Sequence, residues 1–332
     1  MLFISRDYGD GTYGVTDSTD NVEERYTLQQ LKEYKSQGVD IKGVSLKSDR
    51  VRVFSSAGAW RQTEAARYKI LCGVNEDVIF SSDYSAICKL KSRSRLDTFS
   101  IPDFIEEISE SAFYNCRNLN SVEIPNSVIK VGANAFEDCR NLKSISLPDS
   151  VIEIGDGAFA SCRALHTVKL PSTLKEIRPS LLSTCCALKY LDIPASVTKI
   201  GRHAFSDCMF ESIKLPDSIT EIEEYTFYSC TVLKTLKIPN SVTKIGELAF
   251  GLCYELEYIE IPESVTEIGD DAYYNCYELR VITILNPDIK ISTKAFRGCP
   301  DITVNVLDTV GDLVFEDCSF VIKRYSSVEE MR

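Results

Sequence analysis

The chain has 332 residues, 44% hydrophobic and 26% charged, with no long low-complexity tract, which excludes a disordered or collagen-like protein. Its net charge of -12 is uneven: residues 1–97 hold 15 basic and 14 acidic side chains, and residues 98–332 hold 22 and 35. The acidic second part excludes nucleic acid as a default partner, since phosphate binding needs a basic face, and no stretch approaches the roughly 18 apolar residues of a membrane span.

The opening MLFISRDYGDG has only Leu2, Phe3 and Ile4 before charge begins, less than the hydrophobic region of a signal peptide. It predicts a cytoplasmic protein, with the cell surface as the alternative. Strands are predicted at 2–5, 13–16, 39–46, 51–54 and 78–80, and Thr27 to Gln30 reads as a capping box opening a helix that Gly38 ends. Residues 1–97 are therefore expected to form a small α+β domain that caps a larger one. The acidic run DSTDNVEE at 17–24 lacks EF-hand spacing and its glycine, so calcium is not expected there. In KLKSRSR, Lys89, Lys91, Arg93 and Arg95 alternate, as they do where charge protects a sheet edge; docking on the acidic repeats or on phosphate is the alternative.

From residue 98 the chain repeats. Prolines stand at 102, 125, 148, 171, 194, 216, 239 and 262, 23 residues apart except for one step of 22. In the copy after Pro125, apolar residues fall at Val128, Val131, Phe136, Cys139, Leu142, Ile145 and Leu147, with Gly132 after the second. Alternation from Leu142 to Leu147 predicts a short strand that the next proline ends, and AFEDC has the spacing of one helical turn. One such copy cannot bury its apolar side alone, so the copies must stack.

The pattern LxxIxIPxxVxxIGxxAFxxC, over residues 99 to about 306, resembles the repeat of the BspA-like leucine-rich repeat family. The resemblance implies an α/β repeat solenoid, a curved right-handed array of about nine 23-residue coils with a strand-lined concave face. It also implies binding of proteins, as by surface adhesins. Residues 307–332, with Phe315 and Cys318 in a last echo of the repeat, read as a C-terminal cap.

The nine repeat cysteines, Cys116 through Cys299, pose a chemical question. Stacked equivalents have parallel Cβ vectors, unsuited to disulfides, and no CxxC offers zinc its local ligands. They are expected to be buried free thiols, with Cys186, beside Cys185, pointing outward. His166 and His203 are expected in solvent. No GxSxG, HExxH, P-loop or dinucleotide fingerprint occurs, and paired acids such as Asp270 and Asp271 read as a soluble face. The sequence predicts no enzyme, no metal and no cofactor.

What remains is surface. Outward strand positions carry Lys143, His166, Lys169, Lys189, Tyr190, Lys214, Lys234, Lys237 and Tyr258. Lysines on strands often serve only solubility. As a face they predict a protein-interaction module steered to an acidic protein partner, with tyrosines as rigid contacts. The alternatives are a surface adhesin and, from the -13 of residues 98–332, an acidic regulator of a nucleic-acid-handling protein.

Overall fold

Hydrogen bonds between residues about 23 apart organise the larger part of the chain. The computed structural model describes residues 78–82, 85–90 and 96–331, and the backbone of strands at 2–7, 12–17, 23–27 and 41–42. Two units are present, Met1–Ile87 and Cys88–Arg332.

In the first unit, Glu23–Thr27, Thr12–Asp17, Leu2–Asp7 and Ile41–Lys42 form a sheet in that order, antiparallel except for the last pair. The strand at Glu23–Thr27 was not predicted. The predicted helix after Thr27 and the strand at 51–54 lie outside the described residues, as do Lys91, Arg93 and Arg95.

The second unit is a solenoid of about nine coils with two parallel ladders. In one, Glu107–Ile108, Lys130–Val131 and Glu153–Ile154 pair, as do Glu176–Ile177 with Lys199–Ile200, and Glu221–Ile222 through Lys290–Ile291. The isoleucine or valine of each pair points inward and the charged residue outward, so Lys199 sits 3.5 Å from Glu176 and 3.4 Å from Glu223 in neighbouring coils. In the other ladder Thr98–Ser100, Ser121–Glu123, Ser144–Ser146 and Thr167–Lys169 pair in register. It then lapses: residues 189–193 are not strand, and Ser212, Thr235 and Tyr258 are joined by single bridges. Pairing resumes from Tyr258–Ile261 to Phe320–Tyr325.

The lapse adjoins the copy that lacks a residue. The missing position lies between Cys208 and Pro216, where Phe210 replaces the leucine that other copies carry one residue later. Phe210 is buried edge-on to Phe205 at 5.8 Å, and the Met209 N–H donates to the Leu188 carbonyl at 3.1 Å. Packing is kept and strand register is lost. At the other end, Leu285 stands where earlier copies have proline, and its N–H donates to Ile261 O at 3.0 Å, so strand Val281–Ile284 runs a residue longer than its early counterparts.

The helical turn expected at AFEDC is not there. Asn134 and Asp138 have φ of 53° and 58°, left-handed values that interrupt a helix. The N–H groups alternate: those of Asn134, Phe136 and Asp138 donate to the next coil, at Asp156, Ala158 and Ala160, while those of Ala135, Glu137 and Cys139 close three-residue turns. Half the donors a helix needs are spent on stacking. The proline carbonyls close turns too, Pro125 O accepting from Val128 N at 3.1 Å.

The core holds a column of rings. Phe113, Phe136 and Phe159 stack at 4.7 and 5.4 Å, Leu182 interrupts, and the column resumes from Phe205 to Phe296. Phe315 meets Phe296 edge-on at 72°, which ends the parallel stacking, and packs in turn on Phe320 at 4.8 Å. Glycine after the second apolar position reflects contact between coils: a Cβ on Gly246 would lie 2.7 Å from Glu224 N.

Candidate interaction face

Alternation along each strand of the interrupted ladder buries residues such as Ile145 and Val168 and turns their neighbours outward. All nine predicted contact residues are exposed. The structure brings Lys143 and His166 together, the His166 N–H donating to Lys143 O at 3.0 Å, and sets Lys169 beside Ser146. Further along, Lys234 N donates to Glu211 O and Glu257 N to Lys234 O. Lys189, Tyr190 and Lys214 lie at the lapse in pairing, where Tyr190 is 71% exposed. Tyr258 directs its hydroxyl to Glu260 at 3.2 Å.

Charge pairing is commoner on the other ladder, although Lys290 at its end forms no ion pair among the described residues. Lys130, Lys199 and Lys244 each contact a carboxylate of an adjoining coil. On the strand-lined face Lys234 reaches Glu255 at 3.8 Å, whereas Lys143, Lys169, Lys189, Lys214 and Lys237 form no ion pair among the described residues. Hydrogen bonds from Ser172, helped by Lys169 at longer range, hold the Asp149 carboxyl below its ordinary value.

Sequence reasoning missed three arginines beside the face. Arg117, Arg140 and Arg163 follow the cysteine in successive coils. Arg117 Nη2 and Arg140 Nε hold Asp138 at 2.7 and 2.6 Å. Burial pushes the Asp138 carboxyl up, but these hydrogen bonds and charges hold it below its ordinary value. In the next coil Ser161 replaces the aspartate, and Arg163 has no ion pair among the described residues. Tabulating the residue after each cysteine would have found the row.

The repeat cysteines are buried and free, and Cys186 is exposed. Each repeat thiol donates to a carbonyl of the preceding coil: Cys139 to Phe113 and Cys162 to Phe136, both at 3.1 Å, and so on to Cys299 with Tyr273. Serines of the proline turns do the same, Ser150 to Val128 O at 2.8 Å and Ser264 to Val242 O at 2.6 Å. The cysteines thus add a directed bond to the apolar role expected of them.

His166 is exposed as predicted. His203 is not in open solvent: it is half-buried and stacked on Tyr225 at 4.5 Å, and burial, with Arg202 nearby, lowers its pKa. Asp271 is likewise half-buried and paired with Arg297 at 2.9 Å. Among the described residues no three His, Cys, Asp or Glu side chains converge to hold a metal, and no helix is long and apolar enough to cross a membrane.

Residues 90–211 and 198–321 match a family model described as the BspA type leucine rich repeat region, in six copies. No curated protein matches. Among solved structures the chain is similar to the Treponema pallidum leucine rich repeat protein, at 30% identity and a TM-score of 0.48 over 54% of this chain and 86% of that one. It is also similar to the pneumococcal vaccine antigen PcpA, at 19% identity and a TM-score of 0.52 over 76% and 77%. A leucine rich cell surface protein from Faecalibacterium prausnitzii shares 21% identity, with a TM-score of 0.32, over 76% and 94%.

Proposed function

The chain belongs to the BspA-type leucine-rich repeat family, and from that premise we propose a non-enzymatic protein-interaction module that binds an acidic protein surface through its strand-lined face. One observation carries the proposal: five lysines of that face form no ion pair among the described residues, while Lys130, Lys199 and Lys244 of the other ladder do. Solubility alone explains exposure, but it does not explain why most cations of the strand-lined face stand apart from carboxylates while Lys130, Lys199 and Lys244 of the other ladder are paired. Tyr190, exposed among them, supplies a large surface at small entropic cost.

Affinity capture with lysine-directed cross-linking tests this reading. Cross-links are expected on Lys143, Lys189 and Lys214, and the triple reversal K143E/K189E/K214E should abolish capture. Cross-links confined to residues 1–97 would remove the solenoid from the binding role. The reading carries a reducing compartment with it, where buried thiols such as Cys139 and Cys162 stay free. Thiol titration of protein freshly isolated from its source should count them as free. Extensive native disulfides would instead favour a cell-surface adhesin.

A further inference from the structure

The turns that follow the buried phenylalanines form a second surface with a different chemistry. Across the coils of Phe205 to Phe296, exposed and half-buried rings succeed one another. His203 stacks on Tyr225, Tyr225 meets Tyr228 edge-on at 5.5 Å, Tyr254 stacks on Tyr277 at 5.1 Å, and the Arg297 guanidinium lies 5.1 Å over the Tyr274 ring. Gly251 is part of the arrangement: a Cβ there would come within 3.1 Å of the Tyr228 ring. Tyr254 and Tyr277 are outermost, 36% and 51% exposed. The core does not require these residues, because earlier coils place Glu137 and Ala160 after the phenylalanine and Arg140 and Arg163 after the cysteine, and bury their rings equally well.

Beside the rings runs an open trough of about 540 Å³, lined by six carboxylates, among them Glu221, Glu224, Glu247 and Asp270, against Arg202 and Lys244. Glu223, Glu267 and Asp270 are paired with Lys199, Lys244 and Lys294 at 3.4, 3.2 and 3.7 Å, whereas Glu221, Glu224 and Glu247 form no ion pair among the described residues. Glu224 precedes Tyr225 in the chain, and Glu247 interacts with the Tyr225 hydroxyl, so trough and rings are one surface.

We propose that this turn-side surface docks a lysine- or arginine-rich segment of a partner protein. The rings receive guanidinium or ammonium groups on their faces, as Tyr274 receives Arg297, and the trough supplies the opposing charge. The trough is opposite in sign to the lysines of the strand face, so the two call for partners of opposite charge.

The test titrates the full chain into fluorescein-labelled deca-arginine and follows anisotropy, at about 50 and about 300 mM NaCl. Binding at the lower salt is expected, weakened by about tenfold in E224K/E247K and in the charge-neutral Y254S/Y277S. The distant reversal D103K/E110K should bind nearly as the native chain does. Thermal melts by circular dichroism check each fold, and Tyr277→Ser alone replaces the double variant if that does not fold. Native affinity in the tyrosine variants would reduce the effect to bulk charge and overturn the proposal. So would an equal loss in D103K/E110K, or self-association of the native chain that E224K/E247K abolishes, which would make a second copy the occupant.

Discussion

The Cys139 thiol donates to the Phe113 carbonyl, 3.1 Å away in the preceding coil, and that oxygen also accepts the Cys116 N–H. The cysteine therefore ties its own coil to the turn of the one before. Cys139→Ala removes the bond and leaves a small void, and is expected to cost about 1–2 kcal/mol in urea denaturation. Cys139→Val restores volume without a donor and separates the two contributions. An alanine variant as stable as the native chain would reduce the thiol to filler.

Burial raises the Cys116 and Cys253 thiols from 9.0 to about 12, and Cys139 in the same direction. A raised folded pKa means stability that is fully present below the unfolded value and lost as pH rises from it toward the folded value, because the unfolded chain ionises first. Each such thiol withdraws about 1.4 kcal/mol per pH unit above about pH 9. Urea midpoints in reducing buffer should be flat to about pH 8.5 and fall steeply by about pH 10.5. A flat profile across that range would contradict the buried, protonated ladder.

Tyr273 is fully buried between Phe250 and Phe296, at 5.2 and 5.1 Å, and its hydroxyl has no hydrogen-bond partner among the described residues. Tyr273→Phe keeps the stack and removes a desolvated hydroxyl. It should stabilise the chain by about 1 kcal/mol, read as a raised melting temperature. A destabilised variant would mean that the hydroxyl is bonded.

Gly155 and Gly269 occupy equivalent positions but differ in clearance. A Cβ on Gly155 would press on the Ala133 backbone nitrogen, whereas on Gly269 it would lie 2.9 Å from Glu247 N. Gly155→Ala is expected to cost about 3 kcal/mol or more, and Gly269→Ala distinctly less. Equal losses would remove steric approach as the reason for these glycines.

Much of this architecture was legible from spacing. The prolines set the period, and the apolar template from Val128 to Leu147 identified the inward side chains and hence the exposure of Lys143, His166 and Lys169. Their freedom from ion pairs was not legible, because it depends on which carboxylates the adjoining coils present. The helical turn at AFEDC failed for a related reason. Periodicity reports which side chains face inward, and a run of turns can repeat that pattern while sending alternate N–H groups to the next coil.

By itself the sequence determined the repeat, the family, the buried cysteine row and the outward strand positions, since each is written within a single copy and read by repetition. Only the tertiary structure decided the bond from Cys139 to Phe113, the lapse in pairing near Tyr190 and the joining of Tyr225, Tyr228, Tyr254 and Tyr277 into one surface. These are relations between residues of different copies, often 23 to 26 positions apart. Their geometry is set by how one coil seats on the next, and Phe210 shows that one missing residue is enough to change it.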